Sequence, residues 1–481
     1  MRIPQTGKPA EAVLAEIETF RGGDLSWRSG RAFGYVYNAG DGIEALGKEA
    51  YTRFLTENAL DPTEFPSLLR FENEVVGMCI DHLGGDSDCV GNFTSGGTES
   101  ILLAVKAARD SFHSTNPGVT AQIVLARTAH AAFFKSAHYY GMEAVIVEVD
   151  GDTFRAIPAD MEAAITPRTC MIVGSASEYG HGVIDPIPEL GQIALRHGIR
   201  LHVDGCIGAF VLPFFRELGE PLTPFDFSVE GVTSISMDLH KYAYCPKGAS
   251  VVLHRNKELR KHQIYICASW AGYTLANATV QSSKSGGPMA AAWSVMNHVG
   301  RDGYLEICRE LLETRKKVVD DIDAIDGLRV LGDPKMCLVA FVSDDPEVDV
   351  FHLTDVMVGK GWYVQAQLSM TNNPANIHLT LTPANVPHMD AFMVDLAASV
   401  EACRNAPNPE IPPMLAMALE QIDFTALDDA TFEQLLAGAG LGDGGDLPEE
   451  RAVINHILNR LNPAARERVL SFFFNDLYTQ S

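Results

Sequence analysis

The sequence predicts an α/β fold, with a large domain on a mostly parallel sheet followed by a smaller one. Two observations lead there. From about residue 90 to 260, short apolar and β-branched runs alternate with segments long enough to form crossover helices, the pattern that sets parallel strands between helical layers. Residues able to bind anions, hold protons or act as nucleophiles recur just past the ends of those runs, at the sheet edge where such folds take ligands.

The elements follow in chain order. Residues 1–70 read as an N-terminal arm with a loop rich in glycine and aromatics, GRAFGYVYNAGDG. The large domain spans 71–305. Within it QIVLART (122–128), AVIVEV (144–149), CMIVGSAS (170–177), IRLHVD (199–204), VTSISM (232–237) and ASVVLHR (249–255) are predicted strands, being short, continuous and rich in Val and Ile. A charged helix is predicted over 303–327, and the strand and helix patterns around it define a smaller α/β domain over 306–405. The Pro-rich NAPNPEIPP opens the last segment, 406–481, which is otherwise helical in pattern. There RAVINHILNRL puts Val453, Ile454, Ile457, Leu458 and Leu461 on one stripe.

The 481 residues carry a formal net charge of −25, which argues against nucleic acid or an anionic membrane as partner. No apolar run reaches the length of a membrane span, and the N-terminus MRIPQTGKPAEAV lacks the apolar core of a secretory signal. The nine cysteines are scattered with no C-x-x-C pair. They read as reduced residues of a cytoplasmic protein, neither disulfides nor metal ligands.

Four stretches carry chemistry. In ISMDLHKYAYCPKG, Lys241 sits among apolar residues directly after His240. Burial disfavours an ammonium, so the lysine is expected to have a lowered pKa and an amine available as a nucleophile. In NFTSGGTESILLAVKAARD, the residues Ser95, Gly96, Gly97 and Thr98 precede a helical pattern. Such a turn offers backbone N–H groups to an anion, and the hydroxyls add donors; Thr98 as a helix cap is the plainer alternative. In HVDGCIGAF, Asp204 closes an apolar run, where it serves either as a cap or as the acid beside a pyridine nitrogen. In RTAHAAFFKSAHYYGM, His130 opens a helical pattern, either capping it or stacking on a flat ring. An anion turn, a stacking histidine, an acid and a lysine, in that order, are what pyridoxal 5'-phosphate requires.

The stretches TSGGTESILLAVKAARD, HAAFFKSAHYYGM, HGVIDPIPEL, HVDGCIGAF, GVTSISMDLHKYAYCPKGASVVL and GRDGYLE together resemble the group II pyridoxal phosphate-dependent decarboxylase family. Within it the chain is most similar to the sphingosine-1-phosphate lyases. The resemblance implies the aspartate aminotransferase-like fold type I and a homodimer with shared sites. It implies Lys241 as the Schiff-base lysine, Asp204 on the pyridine nitrogen and His130 on the ring. It implies Gly97, Thr98 and His240 on the cofactor phosphate, with Ser283 reaching in from the partner. It further implies that Tyr37 enters the partner's site and that Lys247 helps bind a substrate phosphate.

Two positions depart from that pattern. NALDPTEFPS carries Asp61 where the lyases have a phosphate-binding histidine, and SKSGG (283–287) carries Lys284 where they have arginine. A carboxylate at Asp61 opposes a substrate phosphate. The expected reaction is retro-aldol cleavage of a β-hydroxy amine, with Tyr37, His130 or a phosphate-linked water as the candidate base. The alternative is α-decarboxylation of an amino acid, the commoner activity of the wider family.

Overall fold

The computed structural model describes residues 2–411, 428 and 451–479. Seven strands form its central sheet: β1 Val90–Thr94, β2 Gln122–Ala126, β3 Glu143–Val147, β4 Thr169–Ser175, β5 Arg200–Asp204, β6 Val232–Asp238 and β7 Ser250–His254. Their order is β1-β7-β6-β5-β4-β2-β3. Strands β2 to β6 pair in parallel, and β7 runs antiparallel to both neighbours. Every residue of β2, β4, β5 and β7 is buried, so their polar side chains, such as His202 and Ser250, need partners inside the protein. The connection from β6 to β7, residues 239–249, holds only turns. It is too short for a crossover helix, so β7 returns antiparallel.

This topology decides what meets at the functional edge. Because β1 is antiparallel to β7 and β7 to β6, β1 points the same way as the parallel strands. Residues following β1, β2, β4, β5 and β6 therefore emerge on one side of the sheet: Ser95–Thr98, Thr128–His130, Ser177–Tyr179, Asp204–Cys206 and Asp238–Lys241.

The helix Gly97–His113 covers the sheet with Ile101, Leu103, Ala104, Val105, Ala107 and Ala108. Its one buried hydroxyl toward the sheet, Ser100 Oγ, is satisfied by Thr94 Oγ1 at 2.6 Å and Ser250 Oγ at 2.9 Å. A helical run spans Gly287–Asp323 and is broken at Gly300, whose φ of 62° lies in the left-handed region. It begins well before the charged helix expected from residue 303.

The chain divides into two compact units. The larger, Phe33–Phe341 with His378–Met389, contains the seven-stranded sheet. The other comprises the residues up to Ala32, Val342–Ile377 and the chain from Asp390 onward. In that unit Trp362 is fully buried, donates to Asp395 at 2.8 Å and carries the Arg31 guanidinium 4.6 Å above its ring. The helix Ala452–Arg460 packs on the helix Val350–Gly359. Asp355 accepts the N–H groups of Arg451 and Ala452 at 3.0 and 2.8 Å, and His456 meets Asp349 at 3.1 Å. Of the expected stripe, Ile457 and Leu461 are buried. The rest of the predicted tail, 412–427 and 429–450, lies outside the described residues. No described helix is long and apolar enough to cross a membrane. All nine cysteines are free thiols, and all but Cys267 are buried.

One buried carboxylate fixes the turn after β1. Glu99 accepts the N–H and hydroxyl of Ser95, both at 2.7 Å, through one oxygen. Its other oxygen accepts the N–H groups of Val280 and Gln281 at 2.7 and 3.1 Å. Four donors converge on one charged acceptor, which only a carboxylate can satisfy. Glu99→Gln presents an amide NH2 to donors that have nowhere else to turn. It should cost about 2 kcal/mol of stability, seen as a lowered thermal unfolding midpoint; an unchanged midpoint would show that the clamp is not needed.

Candidate active site

Strands β5 and β6 lie side by side, with Asp204 opposite Ser236. Two residues on, β6 ends at Asp238, which is 3% exposed. The turn that follows folds Lys241 back over it, so that Nζ stands 3.0 Å from Asp238 Oδ2. His240 Nε2 stands 3.7 Å from the same oxygen. Asp238 is not among the candidate residues of the four chemistry-bearing stretches. Its signal is a carboxylate closing an apolar strand three residues before a lysine, a spacing that a tight turn converts into an ion pair.

That pair overturns the expected titration of Lys241. Burial does disfavour the ammonium, but the carboxylate of Asp238, with Cys206 and Tyr37 behind it, outweighs burial and raises the pKa above the ordinary lysine range. Reciprocally, burial opposes ionisation of Asp238, yet Lys241 and then His240 hold its pKa below the usual carboxylate value. The protein alone therefore keeps a charged lysine at this strand end, and the amine becomes nucleophilic only when its proton is taken.

Asp204 is buried, 6% exposed, and its Oδ1 accepts the Cys206 N–H at 3.1 Å and the Ser236 hydroxyl at 3.4 Å. It thus caps the following turn and still directs a second oxygen elsewhere. His202 lies behind it, with Nδ1 2.8 Å from Ser234 Oγ and Nε2 3.2 Å from Ser236 Oγ. Burial pushes the pKa of His202 down to about 4, so this support is neutral.

The turn after β1 approaches the same carboxylate. A Cβ placed on Gly97 would lie 2.8 Å from both oxygens of Asp238 and from Cys206 Sγ, so only a hydrogen fits there. The first intrahelical bond of the helix is Ser100 N–H to the Gly96 carbonyl, at 3.0 Å. The earlier N–H groups thus face the site, the arrangement that takes anions. Thr98 is exposed at this position. Ser95 differs from expectation: its hydroxyl and N–H are both turned to Glu99, away from an anion.

His130 follows β2 and is exposed. Its Nδ1 accepts the Ala132 N–H at 3.1 Å, so the histidine is an N-cap, and in the neutral ring the proton is on Nε2. Tyr37 packs edge-on against Tyr242, ring centroids 4.9 Å apart, and Lys247 Nζ stands 5.2 Å from the Tyr37 ring centroid. Burial raises its phenol's pKa, with Lys241 working the other way. Tyr37 therefore joins Lys241 and Lys247 of its own chain. Phe33, just upstream, is buried in the same unit. Asp61 and Ser283 make no hydrogen bond, ion pair or ring contact with this cluster among the described residues. Asp61 is exposed and its Oδ1 accepts the N–H and hydroxyl of Thr63 at 2.8 and 2.6 Å. Ser283 is exposed.

Two buried hydroxyls at this edge, Thr128 Oγ1 and Ser177 Oγ, have no hydrogen-bond partner among the described residues. Unsatisfied buried donors are costly, and here they flank a cradle sized for backbone contact, a lysine and a carboxylate. These residues fit a flat, phosphorylated aldehyde cofactor, which defines the class as a pyridoxal phosphate-type enzyme of the α/β kind.

Comparison with known proteins agrees. Residues 2–343 match the model described as the pyridoxal-dependent decarboxylase conserved domain, and the chain belongs to that family. Residues 413–476 match a second model, the C-terminal putative HTH domain of pyridoxal-dependent enzymes. The chain is 42% identical over 417 residues to the sphingosine-1-phosphate lyase of Oryza sativa subsp. japonica, covering 85% of this chain and 75% of that one. It is 38% identical over 419 residues to sphingosine-1-phosphate lyase 1 of Rattus norvegicus, covering 86% and 72%. Among solved structures, the sphingosine-1-phosphate lyase of Burkholderia pseudomallei K96243 superposes with a TM-score of 0.80 at 34% identity, covering 84% of this chain and 93% of that one. The protein is thus a pyridoxal phosphate-dependent lyase of fold type I.

The ion pair can be tested directly. Removing the charge in Asp238→Asn leaves burial alone acting on Lys241, so its pKa should fall. The pH at which an amine-reactive reagent labels Lys241, followed by peptide mapping, should move down by at least ~1 unit. An unchanged labelling profile would show that Asp238 does not hold the proton.

Proposed function

We propose that the protein cleaves the Cα–Cβ bond of a phosphorylated β-hydroxy amine in a retro-aldol reaction, releasing an aldehyde and a phosphorylated amine. The observation that carries this reading is the placement of Tyr37 and Lys247 beside Lys241. Neither belongs to the cofactor cradle, and together they add a phenol and a second cation on the substrate's side. The relatives named as sphingosine-1-phosphate lyases support it.

The chemistry that pyridoxal phosphate supplies when bound is a π-system able to accept the electron pair of the broken bond. The chain's residues do the rest. Lys241 is the attachment point, and Asp238 holds its proton until attachment. Asp204, fixed through Oδ1 and backed by Ser236 and His202, presents its other oxygen to the ring nitrogen. The N–H groups of the Gly96–Thr98 turn and His240 hold the cofactor phosphate. His130, capped through Nδ1, offers its face and a donating Nε2. Lys247 binds the substrate phosphate, with Asp61 as the residue that limits it. Ser283, exposed on one protomer, is read as completing the site of the partner in a homodimer, and the enzyme as working in the cytoplasm.

Product identity tests the reaction. A phosphorylated β-hydroxy amine should give aldehyde without carbon dioxide. Carbon dioxide from an ordinary α-amino acid, at comparable kcat/KM, would favour α-decarboxylation instead. In the same assay Asp61→His should raise kcat/KM for the phosphorylated over the dephosphorylated amine by about tenfold, from exchanging a like charge for a charge-assisted hydrogen bond. Borohydride treatment of the loaded protein should fix the cofactor on Lys241; finding it on Lys247 would overturn the assignment.

A further inference from the structure

At the end of the sheet opposite the site, strands β2, β4 and β5 begin at Gln122, Thr169 and Arg200. A cavity of about 520 Å³ lies there, lined by those strand starts and by the last turn of the helix Gly97–His113. Phe112, Ile165 and Pro167 give it apolar walls, and Ser111, Asn116 and Arg200 give it polar ones. β5 runs from Arg200 to Asp204, about 13 Å of extended chain, so the cavity is separate from the cofactor cradle.

Arg200 is the unusual group. It is 9% exposed. Its Nη1 donates to the Leu259 carbonyl at 3.0 Å, and among the described residues it has no other hydrogen bond and no carboxylate partner. Burial pushes its pKa down to about 10, so it is still a cation at neutral pH. The Cys170 thiol lines the same cavity but does not offset that charge. Burial pushes the thiol up to about 12, and it donates to the Gln122 carbonyl at 3.3 Å. A buried guanidinium is ordinarily paired, because an opposite charge is what offsets its desolvation. The other buried arginine described, Arg315, obeys this: it is 5% exposed and bonds Glu220 at 2.7 Å.

The surroundings leave room for an anion. Two helices end at the cavity, and helix ends carry partial negative charge on bare carbonyls. Here those carbonyls are capped. Phe112 O accepts the N–H and Nδ2 of Asn116 at 2.9 and 3.1 Å. At the end of the helix Ile187–His197, Ala194 O accepts the Ile199 N–H at 3.1 Å. The Glu162 carboxylate, 3.0 Å from His197 at the rim, is paired with Arg196 at 2.8 Å.

We propose that this cavity is a second ligand site, for a small molecule that carries an oxyanion, phosphate or carboxylate, on an apolar body. The oxyanion pairs with the N–H groups of Arg200 that Leu259 leaves free. The Ser111 hydroxyl, unbonded among the described residues, is a further donor. The apolar body lies against Phe112, Ile165 and Pro167. The volume is that of a small-molecule site, roughly 300–1,000 Å³.

Calorimetric titration of the full-length holoenzyme tests this, with inorganic phosphate in one arm and butyrate in the other to show which head group is taken. At least one should bind the wild type in an event that Lys247→Ala leaves in place and Arg200→Gln weakens at least about tenfold. Ser111→Glu keeps Arg200 and its bond to Leu259 but supplies a carboxylate of the protein's own. It should abolish that event and raise the thermal unfolding midpoint. Absence of binding by both anions to the wild type, binding unchanged in Arg200→Gln or in Ser111→Glu, or binding lost in Lys247→Ala would overturn the proposal.

Discussion

The carboxylate of Asp238 is the constraint around which the site is assembled. It ends a largely buried strand, pairs with Lys241 and lies near His240, and it comes so close to Gly97 that no Cβ fits there. A buried carboxylate without a cation is several kcal/mol too costly to keep. Lys241 therefore has to fold back over the strand end, and that sets the turn from 239 to 241. The same carboxylate leaves room only for a glycine at the helix N-terminus. One residue thus fixes both Lys241 and the Gly-rich turn after β1, and fixes them relative to each other.

Around it the polar groups are supported in layers, and each layer has a different physical job. Glu99 is a four-donor clamp that holds the cradle's backbone to residues 280 and 281. Ser236 donates to Asp204 and is in turn bonded to His202, so no further formal charge is brought to Asp204 from behind. A protonated His202 would compensate that charge and weaken its hold on a pyridine proton. Deep burial keeps it neutral.

Much of this was legible in the sequence, and the failures have identifiable causes. Short apolar runs with Val and Ile announced β2, β3 and β4, and the Val-containing runs of β5, β6 and β7 were short enough to read as strands despite their polar residues. β1 was missed: VGNFT carries a glycine and an asparagine and sits at the sheet edge. Lys241, Asp204 and the Gly-rich turn were readable because each follows a strand. The state of Lys241 was misread, since a pKa depends on what stands 3.0 Å away and the turn that brings Asp238 there is invisible in the pattern. The packing of Tyr179 on His378, with the imidazole bonded to the Gly180 carbonyl, was unreadable for a stronger reason. Some 200 residues separate the two sides of that contact, and no local rule links them.

The last question is how a chain of net charge −25 manages a phosphorylated cofactor and, in the proposed reaction, a phosphorylated substrate. The global field is repulsive to both, but at physiological ionic strength it is screened beyond about 8 Å. Within that distance the balance is different. Lys241, Lys247 and the first N–H groups of the helix Gly97–His113, which have no hydrogen bond among the described residues, lie at the same end of the sheet as Asp238 and Asp204. Asp238 is already neutralised by Lys241, and in the proposed site Asp204 is taken by the ring nitrogen. What remains for two phosphates is a helix terminus for one and Lys247 for the other. The acidic surface then acts only on encounter rate, while affinity is set by a few groups whose placement the parallel strand ends dictate.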